Sequence, residues 1–389
     1  MPPILEFTNV HYAYPNCPSS LNGVNFSIEK GAKVALVGPN GAGKTTLLLM
    51  CNGILRPENG EIRLSGSPLR YDSSSLRKTR KNVGLVFQNS DSQLFAPTVY
   101  QDVAFGPVNL GMDREKIPHM VDENLHAVGL EGYDKRPPHQ LSGGEKKRAS
   151  IAGVLVMEPD VLIFDEPTSS LDPAGAADLM ELLDDLNAQG KTIIISTHDV
   201  ELAYNWADNI ILMNKGVVIH QGAPDQVFND PALITTTNLR TPALLEIYTE
   251  LVARNMLENT GSPRSVLSLV NTLEQKFRQN PPVKKQGAIT VCNVDIIPTE
   301  KIRAWIAENP DHRRGAMGTR AKKLAEQETI TLDFTYGVID KCLLRALIGE
   351  SSLILTTTGM VDRVQRRVLA FEEESRIRVA VSLMGDGTP

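Results

Sequence analysis

The run Val34-Ala35-Leu36-Val37-Gly38-Pro39-Asn40-Gly41-Ala42-Gly43-Lys44-Thr45-Thr46-Leu47-Leu48-Leu49-Met50 constrains the fold more than any other part of the chain. An apolar strand feeds a glycine-rich turn of the form GxxxxGK[ST], and the turn opens a helix. Residues 161–164 (VLIF) and 192–196 (TIIIS) are further short, nearly all-apolar runs. Such runs suit strands covered on both faces, as in a parallel sheet between helix layers. Residues 1–235 are therefore expected to form one α/β domain built on a parallel sheet.

The turn carries chemistry of its own. Gly38, Gly41 and Gly43 allow the backbone to wrap phosphates with its N–H groups pointing inward, and Pro39, Asn40 and Ala42 complete the loop. The helix that starts at Lys44 adds a dipole favouring anions. Lys44 is expected to reach the β- and γ-phosphates, Thr45 to ligate Mg²⁺ through its hydroxyl, and Thr46 to continue the loop into the helix. Asp165 ends the VLIF strand, where a carboxylate emerges at the ligand edge of such a sheet and would orient Mg²⁺. Glu166 follows it and is the candidate general base for an attacking water.

Composition narrows the partners. The chain has 389 residues and a formal charge of -6, which argues against general nucleic-acid binding, a process that rewards basic surfaces. No window approaches the long uncharged apolar stretch of a membrane span, and the first residues lack a basic region followed by an apolar one. Cys17, Cys51, Cys292 and Cys342 are scattered without a CxxC pair and are expected to be reduced thiols of a cytosolic protein. Work at a membrane would then proceed from its cytoplasmic face, through partners.

Between the phosphate loop and the VLIF strand lies Leu141-Ser142-Gly143-Gly144-Glu145. With Gln88 in Val86-Phe87-Gln88, Ser170-Leu171-Asp172, and His198 in Ser196-Thr197-His198-Asp199, these motifs make residues 4–230 resemble the ATP-binding-cassette (ABC) ATPases. The resemblance implies a cassette with a RecA-like parallel core and a helical signature subdomain. It implies a dimer, of identical or different protomers, with ATP and Mg²⁺ between them. Ser142, Gly143 and Gly144 would then meet the γ-phosphate held by the opposite protomer, and Asp172 would cross the interface. Gln88 would sense Mg²⁺ and couple to a membrane subunit, and His198 would contact the γ-phosphate. Tyr14 matches the aromatic that stacks on adenine, although Tyr12 has a similar setting and either ring could instead pack against the core. The reaction implied is in-line attack of water on the γ-phosphate, with no covalent intermediate. Lys44, Glu166, His198 and LSGGE are all present, so both sites of a homodimer should be active.

The stretch Asn89-Ser90-Asp91-Ser92-Gln93-Leu94-Phe95-Ala96-Pro97-Thr98-Val99, with 102–107 (DVAFGP), resembles the energy-coupling-factor ATPases, especially the cobalt and nickel type. That family implies a transmembrane coupling subunit, a substrate-binding membrane subunit and a micronutrient cargo. Leu94, Phe95 and Val99 would either line the groove that takes the coupling subunit or pack the helical subdomain. The alternative is a soluble, non-transport ABC ATPase acting on a macromolecular machine. The short span from Gln88 to Leu141 leaves no room for a coiled-coil arm.

Residues 236–287 read as a helical extension (239–257) and a polar, Pro-containing linker (279–287). Residues 288–389 are expected to form a small α/β domain, regulatory or dimerising. Its strands are expected at 289–294, 329–334, 352–357 and 377–383. Its helices are expected at 299–308, 319–327, 338–348 and 361–374. The basic run 313–323 and the turn Thr356-Thr357-Thr358-Gly359 are compatible with an anion site or with ordinary caps and a solvated basic face.

Overall fold

The computed structural model describes residues 2–15, 20–259, 261–277 and 286–385. In chain order the elements are β1 (Leu5–Tyr12), β2 (Leu21–Ile28), β3 (Lys33–Val37), α1 (Lys44–Cys51), β4 (Asn59–Leu64), β5 (Ser67–Pro68), α2 (Ser73–Asn82) and β6 (Val83–Val86). Next come α3 (Val99–Asn109), α4 (Ile117–Ala127), α5 (Gly143–Leu155), β7 (Val161–Asp165), α6 (Pro173–Ala188), β8 (Thr192–Thr197) and α7 (Val200–Trp206). They are followed by β9 (Asn209–Asn214), β10 (Val217–Gly222), α8 (Pro224–Phe228), α9 (Pro231–Thr237), α10 (Ala243–Ala253) and α11 (Val266–Phe277). The chain ends with β11 (Ile289–Asn293), α12 (Thr299–Glu308), β12 (Arg313–Ala316), α13 (Thr319–Gln327), α14 (Val338–Leu347), β13 (Ser352–Thr356), α15 (Thr358–Ser375) and β14 (Val381–Leu383). Two compact units result: one of residues 1–171 and 186–247, the other of residues 172–185 and 248–389.

In the first unit a six-stranded sheet runs β10-β9-β3-β8-β7-β6, parallel except for the β9–β10 hairpin. The strands β3, β7 and β8 are apolar on both sides because both sides are covered, and every residue of β7 and β8 is buried. Their carboxyl ends deliver the phosphate loop, the Asp165-Glu166 pair and the segment leading to His198 to one edge. A four-stranded antiparallel sheet, β2-β1-β4-β5, packs its apolar side into the core that holds Leu47, Leu48 and Met50 of α1. Between β6 and β7 the helices α3, α4 and α5 form the helical subdomain, with Val103, Val121, Leu125 and Ile151 buried.

The second unit contains a parallel sheet of order β12-β13-β11-β14. On one face Ile289, Val291 and Ile354 pack with Leu267 of α11, Leu343 of α14 and Val364 and Phe371 of α15. On the other, Cys292, Leu353 and Leu355 meet Ile302 of α12 and Ala321 and Ala325 of α13. One expected strand is absent: residues 329–334 form an irregular segment that meets β12 at its end, through a Gly315–Phe334 bridge and hydrogen bonds between Asp333 and Arg314. Thr329 sits at φ 56°, which breaks an extended run at its first residue. The basic segment 313–316 supplies the strand instead, because the parallel partner β13 takes it up. The expected helix 239–257 forms only as α10, α11 has no counterpart among the expected helices, and most of the expected linker lies outside the described residues.

Candidate functional site

The phosphate loop is held rigidly before any ligand arrives. A Cβ at Gly38 would lie 2.3 Å from the Met213 carbonyl oxygen, and Gly43 caps α1 at φ 100°, a region costly for other residues. Lys44 is buried, and its Nζ donates to the carbonyls of Gly38 (2.7 Å) and Pro39 (3.2 Å). Burial pulls its pKa down, while the nearby Glu166 and Asp165 carboxylates pull it up. Thr45 Oγ1 donates to Asp165 Oδ2 at 2.9 Å, and the Ser196 hydroxyl donates to Asp165 Oδ1. The hydroxyl of Thr45 and the carboxylate of Asp165 are hard oxygen donors placed together. That set fits a Mg²⁺ ion that takes its other ligands from phosphate and water.

Glu166 adopts φ 45°, a strained value for a non-glycine residue. Its N–H donates to both the Ser196 hydroxyl (3.0 Å) and the Ser196 carbonyl (3.2 Å), and its carbonyl accepts from the Ser169 hydroxyl at 2.8 Å. These bonds keep the strained turn in place and hold a buried carboxylate at the edge of the sheet. His198 Nδ1 lies 2.9 and 3.0 Å from the two Glu166 oxygens. Residues from three strand ends and one helix start therefore converge, as expected from their order in the sequence.

The two tyrosines separate. Tyr12 packs against the core cluster, whereas Tyr14 is 37% exposed, with its hydroxyl 3.4 Å from Thr46 Oγ1 at the start of α1. Tyr14 is the more exposed of the two rings, which meet edge to face with centroids 5.0 Å apart.

Ser142 is the N-cap of α5, in a reciprocal capping box with Glu145. Its Oγ accepts from the Glu145 N–H (3.3 Å), and Glu145 Oε2 accepts from the Ser142 N–H (2.8 Å). Glu145 also accepts from the Tyr133 hydroxyl at 2.9 Å. A serine hydroxyl that accepts a cap bond keeps its own proton to donate. The cap occupies the Glu145 amide and leaves that proton, with the Gly143 and Gly144 amides, outside the capping box, a donor set suited to an anion. Asp172 Oδ1 accepts from the Gly175 N–H at 2.7 Å and caps the start of α6.

Sequence reasoning missed Lys147. It is 3% exposed, and its Nζ donates to the carbonyls of Phe87 (3.0 Å) and Gln88 (3.3 Å). Burial lowers its pKa to about 8 against the upward pull of Asp165. Gln93 adds a second tie, accepting from the Phe87 N–H (3.1 Å) and donating to the Ser150 carbonyl (3.1 Å). Lys146 and Asp91 form a third, at 2.7 Å. The signal was present: Lys147 stands three, four and seven residues before the buried Ser150, Ile151 and Val154, on the inward stripe of α5.

Beside this segment lies a cavity of about 550 Å³. Leu85, Phe87, Leu94, Phe95, Phe105 and Met157 are among its lining residues. Phe95 and Phe105 pair edge to face with centroids 4.8 Å apart, and both stay largely exposed. Asp102 of α3 fixes the loop by accepting from the Phe95 and Ala96 N–H groups, each at 3.0 Å. Leu94 and Phe95 line this cavity, whereas Val99 is fully buried and packs the helical subdomain, the other of the two expected placements.

A parallel core, a phosphate loop and a capped signature helix define a P-loop ATPase of the ATP-binding-cassette class. The family model for ABC transporters matches residues 21–169. An energy-coupling factor transporter ATP-binding protein, EcfA2, of Methanospirillum hungatei JF-1 is 51% identical, over 100% of this chain and 98% of its own. A putative ABC transporter ATP-binding protein of Methanosarcina mazei is 43% identical over 98% of this chain and 95% of its own. Among solved structures, cbiO1 of Clostridium perfringens, part of the ABC transporter complex cbiONQ, is 42% identical with a TM-score of 0.55. That match covers 65% of this chain and 100% of the other. A dimeric ATP-binding cassette bound to ADP and Pi matches at 29% identity and a TM-score of 0.52, covering 57% of this chain and 98% of its own. The chain belongs to the energy-coupling factor transporter ATP-binding proteins, and it is an ATPase.

Proposed function

We propose that this chain is the ATP-hydrolysing subunit of an energy-coupling-factor importer, working as a dimer on the cytoplasmic face of the membrane. The observation that carries the reading is the apolar cavity beside Gln88. It exposes Phe95 and Phe105, and three side-chain ties join its wall to the signature helix. Exposed aromatics over a preformed apolar groove suit a short amphipathic helix of a partner, here the coupling subunit. Among the described residues no helix is long and apolar enough to cross a membrane. In the proposed assembly the pathway for cargo belongs to the membrane subunits.

Glu166 accepts the proton of the attacking water, and His198 orients Glu166 and meets the γ-phosphate. Lys44 trades its two loop carbonyls for phosphate oxygens. Thr45 and Asp165, with Gln88, would hold Mg²⁺, which would neutralise charge on the phosphates. Gly38 to Thr46 cradle the phosphates, Tyr14 stacks on adenine, and Ser142, Gly143, Gly144 and Asp172 act across the dimer. The relative cbiO1 is part of a cbiONQ complex, and the loop after Gln88 resembles the cobalt and nickel type; both favour cobalt or nickel ions as cargo.

The test is co-expression with the membrane subunits. Phe95→Asp with Phe105→Asp should abolish capture of the coupling subunit while ATP binding persists. Undiminished capture would remove the groove from the reading. Cells carrying the whole assembly should accumulate labelled cobalt or nickel; uptake of neither would overturn the cargo.

A further inference from the structure

The second unit joins the first part of α6, residues 172–185, to the C-terminal α/β domain. Asp172, immediately before this helix, is the D-loop aspartate. One face of the helix carries Asp178, Glu181, Asp184 and Asp185. Lys322, in the first turn of α13, is ion-paired to Asp178. Arg363, in the second turn of α15, reaches Asp184 at 2.8 Å, Asp185 at 3.3 Å and the Glu181 carbonyl at 3.1 Å. The Gly318 N–H, just before α13, donates to Glu181 Oε2 at 3.4 Å. All these side chains are at least three-quarters buried, or nearly so, and Glu181 is 9% exposed. Removal from water pushes the Glu181 and Asp185 carboxyls upward, against the pull of Lys322 and Arg363 on Glu181 and of Arg363 on Asp185.

The helices that carry Lys322 and Arg363 follow the carboxyl ends of β12 and β13, and Gly318 lies in the turn between β12 and α13. In a doubly wound sheet that edge is where ligands bind. Here it is engaged by carboxylates of the chain itself. The remaining basic residues of the run 313–323 for which ion pairs are seen also have acidic partners, Arg313 with Asp333 and Glu350 and Arg320 with Asp295.

We propose that the C-terminal domain acts on the ATPase cycle through α6, with Lys322 and Arg363 as positioning residues that set the helix carrying Asp172. The inference rests on Asp172 acting across the dimer. Opposite charges on a partly dry face fix one register of the helix against its support, whereas apolar contact alone tolerates sliding. A helix clamped along its length moves as a rod, so the clamp sets where its first residue can stand when two protomers close.

The experiment uses the full chain. Lys322→Glu and Arg363→Glu, singly and together, are compared with the swaps Lys322→Asp/Asp178→Lys and Arg363→Glu/Asp184→Arg, and with Asp172→Ala. The reversals should lower kcat about tenfold with KM for ATP changed less than about twofold, since closure rather than nucleotide binding is affected. The swaps should restore kcat to within about threefold of the parent. Binding of a fluorescent ATP analogue to each variant reports whether the cassette is folded. Reversals that leave kcat unchanged while Asp172→Ala abolishes it would overturn the clamp and spare the D-loop reading. An Asp172→Ala variant with full kcat would overturn both. Swaps that recover thermal stability but not kcat would reduce Lys322 and Arg363 to structural residues and also overturn the proposal.

Discussion

Gly143 and Gly144 open α5 with ordinary backbone angles, and neither is among the positive-φ glycines. A Cβ at Gly143 would meet nothing nearer than the Ser170 carbonyl at 4.0 Å, and one at Gly144 nothing nearer than Leu171 Cδ2 at 3.9 Å. The fold of the single chain therefore has no use for either glycine, and each costs helix stability. A helical glycine costs about 0.5–1 kcal/mol relative to alanine, with first-turn positions toward the lower end. Gly143→Ala/Gly144→Ala should accordingly stabilise the protein by on the order of 1 kcal/mol, a rise in melting temperature of about 2–4 °C. In the proposed dimer the same methyl groups would stand where the Ser142 hydroxyl and the Gly143 and Gly144 amides face a phosphate. Loss of donors to a developing anion costs about 10²–10³ in kcat. The assay pairs urea or thermal unfolding of the apo protein with steady-state ATPase and with ATP-dependent dimerisation. A double variant that is less stable than the parent would show that the glycines serve the chain's own fold. One that is more stable and fully active would show that no phosphate approaches α5 there.

Four further outcomes are expected. Glu166→Gln should cut hydrolysis by about 10²–10⁴ while an ATP-bound dimer persists in size-exclusion chromatography; a dimer that still turns over at the parental rate would remove Glu166 as base. Lys147→Met leaves the Phe87 and Gln88 carbonyls without their donor and should destabilise by about 2–5 kcal/mol in denaturant, with Lys147→Gln recovering part of it; a neutral Met variant would refute the pin. The thiols of Cys51, Cys292 and Cys342 are pushed up to about 12 by burial, so none should react with iodoacetamide at pH 8 before unfolding. Because the unfolded thiols ionise near 9 and the folded ones near 12, the native state binds more protons over that window. Stability should therefore fall as pH rises from about 9 toward 12.

The parts of the site that were legible in the sequence are those where chemistry and local backbone coincide. The phosphate loop, the Asp165-Glu166 strand end and the Leu141–Glu145 run each need particular residues within a few consecutive positions. Their geometry follows from a strand end, a glycine turn or a helix cap. Lys147 escaped because its role depends on which side of α5 faces the segment 87–93, a tertiary fact, although the helical stripe carried a trace of it. The strand expected at 329–334 failed for a related reason. Alternation in Ile330-Thr331-Leu332-Asp333-Phe334 suits a strand, but the sheet position beside β13 went to Arg313–Ala316, whose backbone could run parallel without Thr329's left-handed start. For Val99 the sequence leaves groove wall and subdomain packing open, because the choice depends on how α3 is oriented; as the first residue of α3 it is buried.

Lys44 Nζ is bonded to two carbonyls of its own loop. A lysine free in solvent would lose about 2 kcal/mol of rotamer freedom on capturing a phosphate. This one has surrendered that freedom during folding, in a loop whose shape is already set by Gly38 and Gly43. In the proposed site, nucleotide capture would be an exchange of acceptors around a charge already held in place. The speed of binding should be governed by how fast ATP diffuses to the edge of the sheet, with no slow ordering step of the loop.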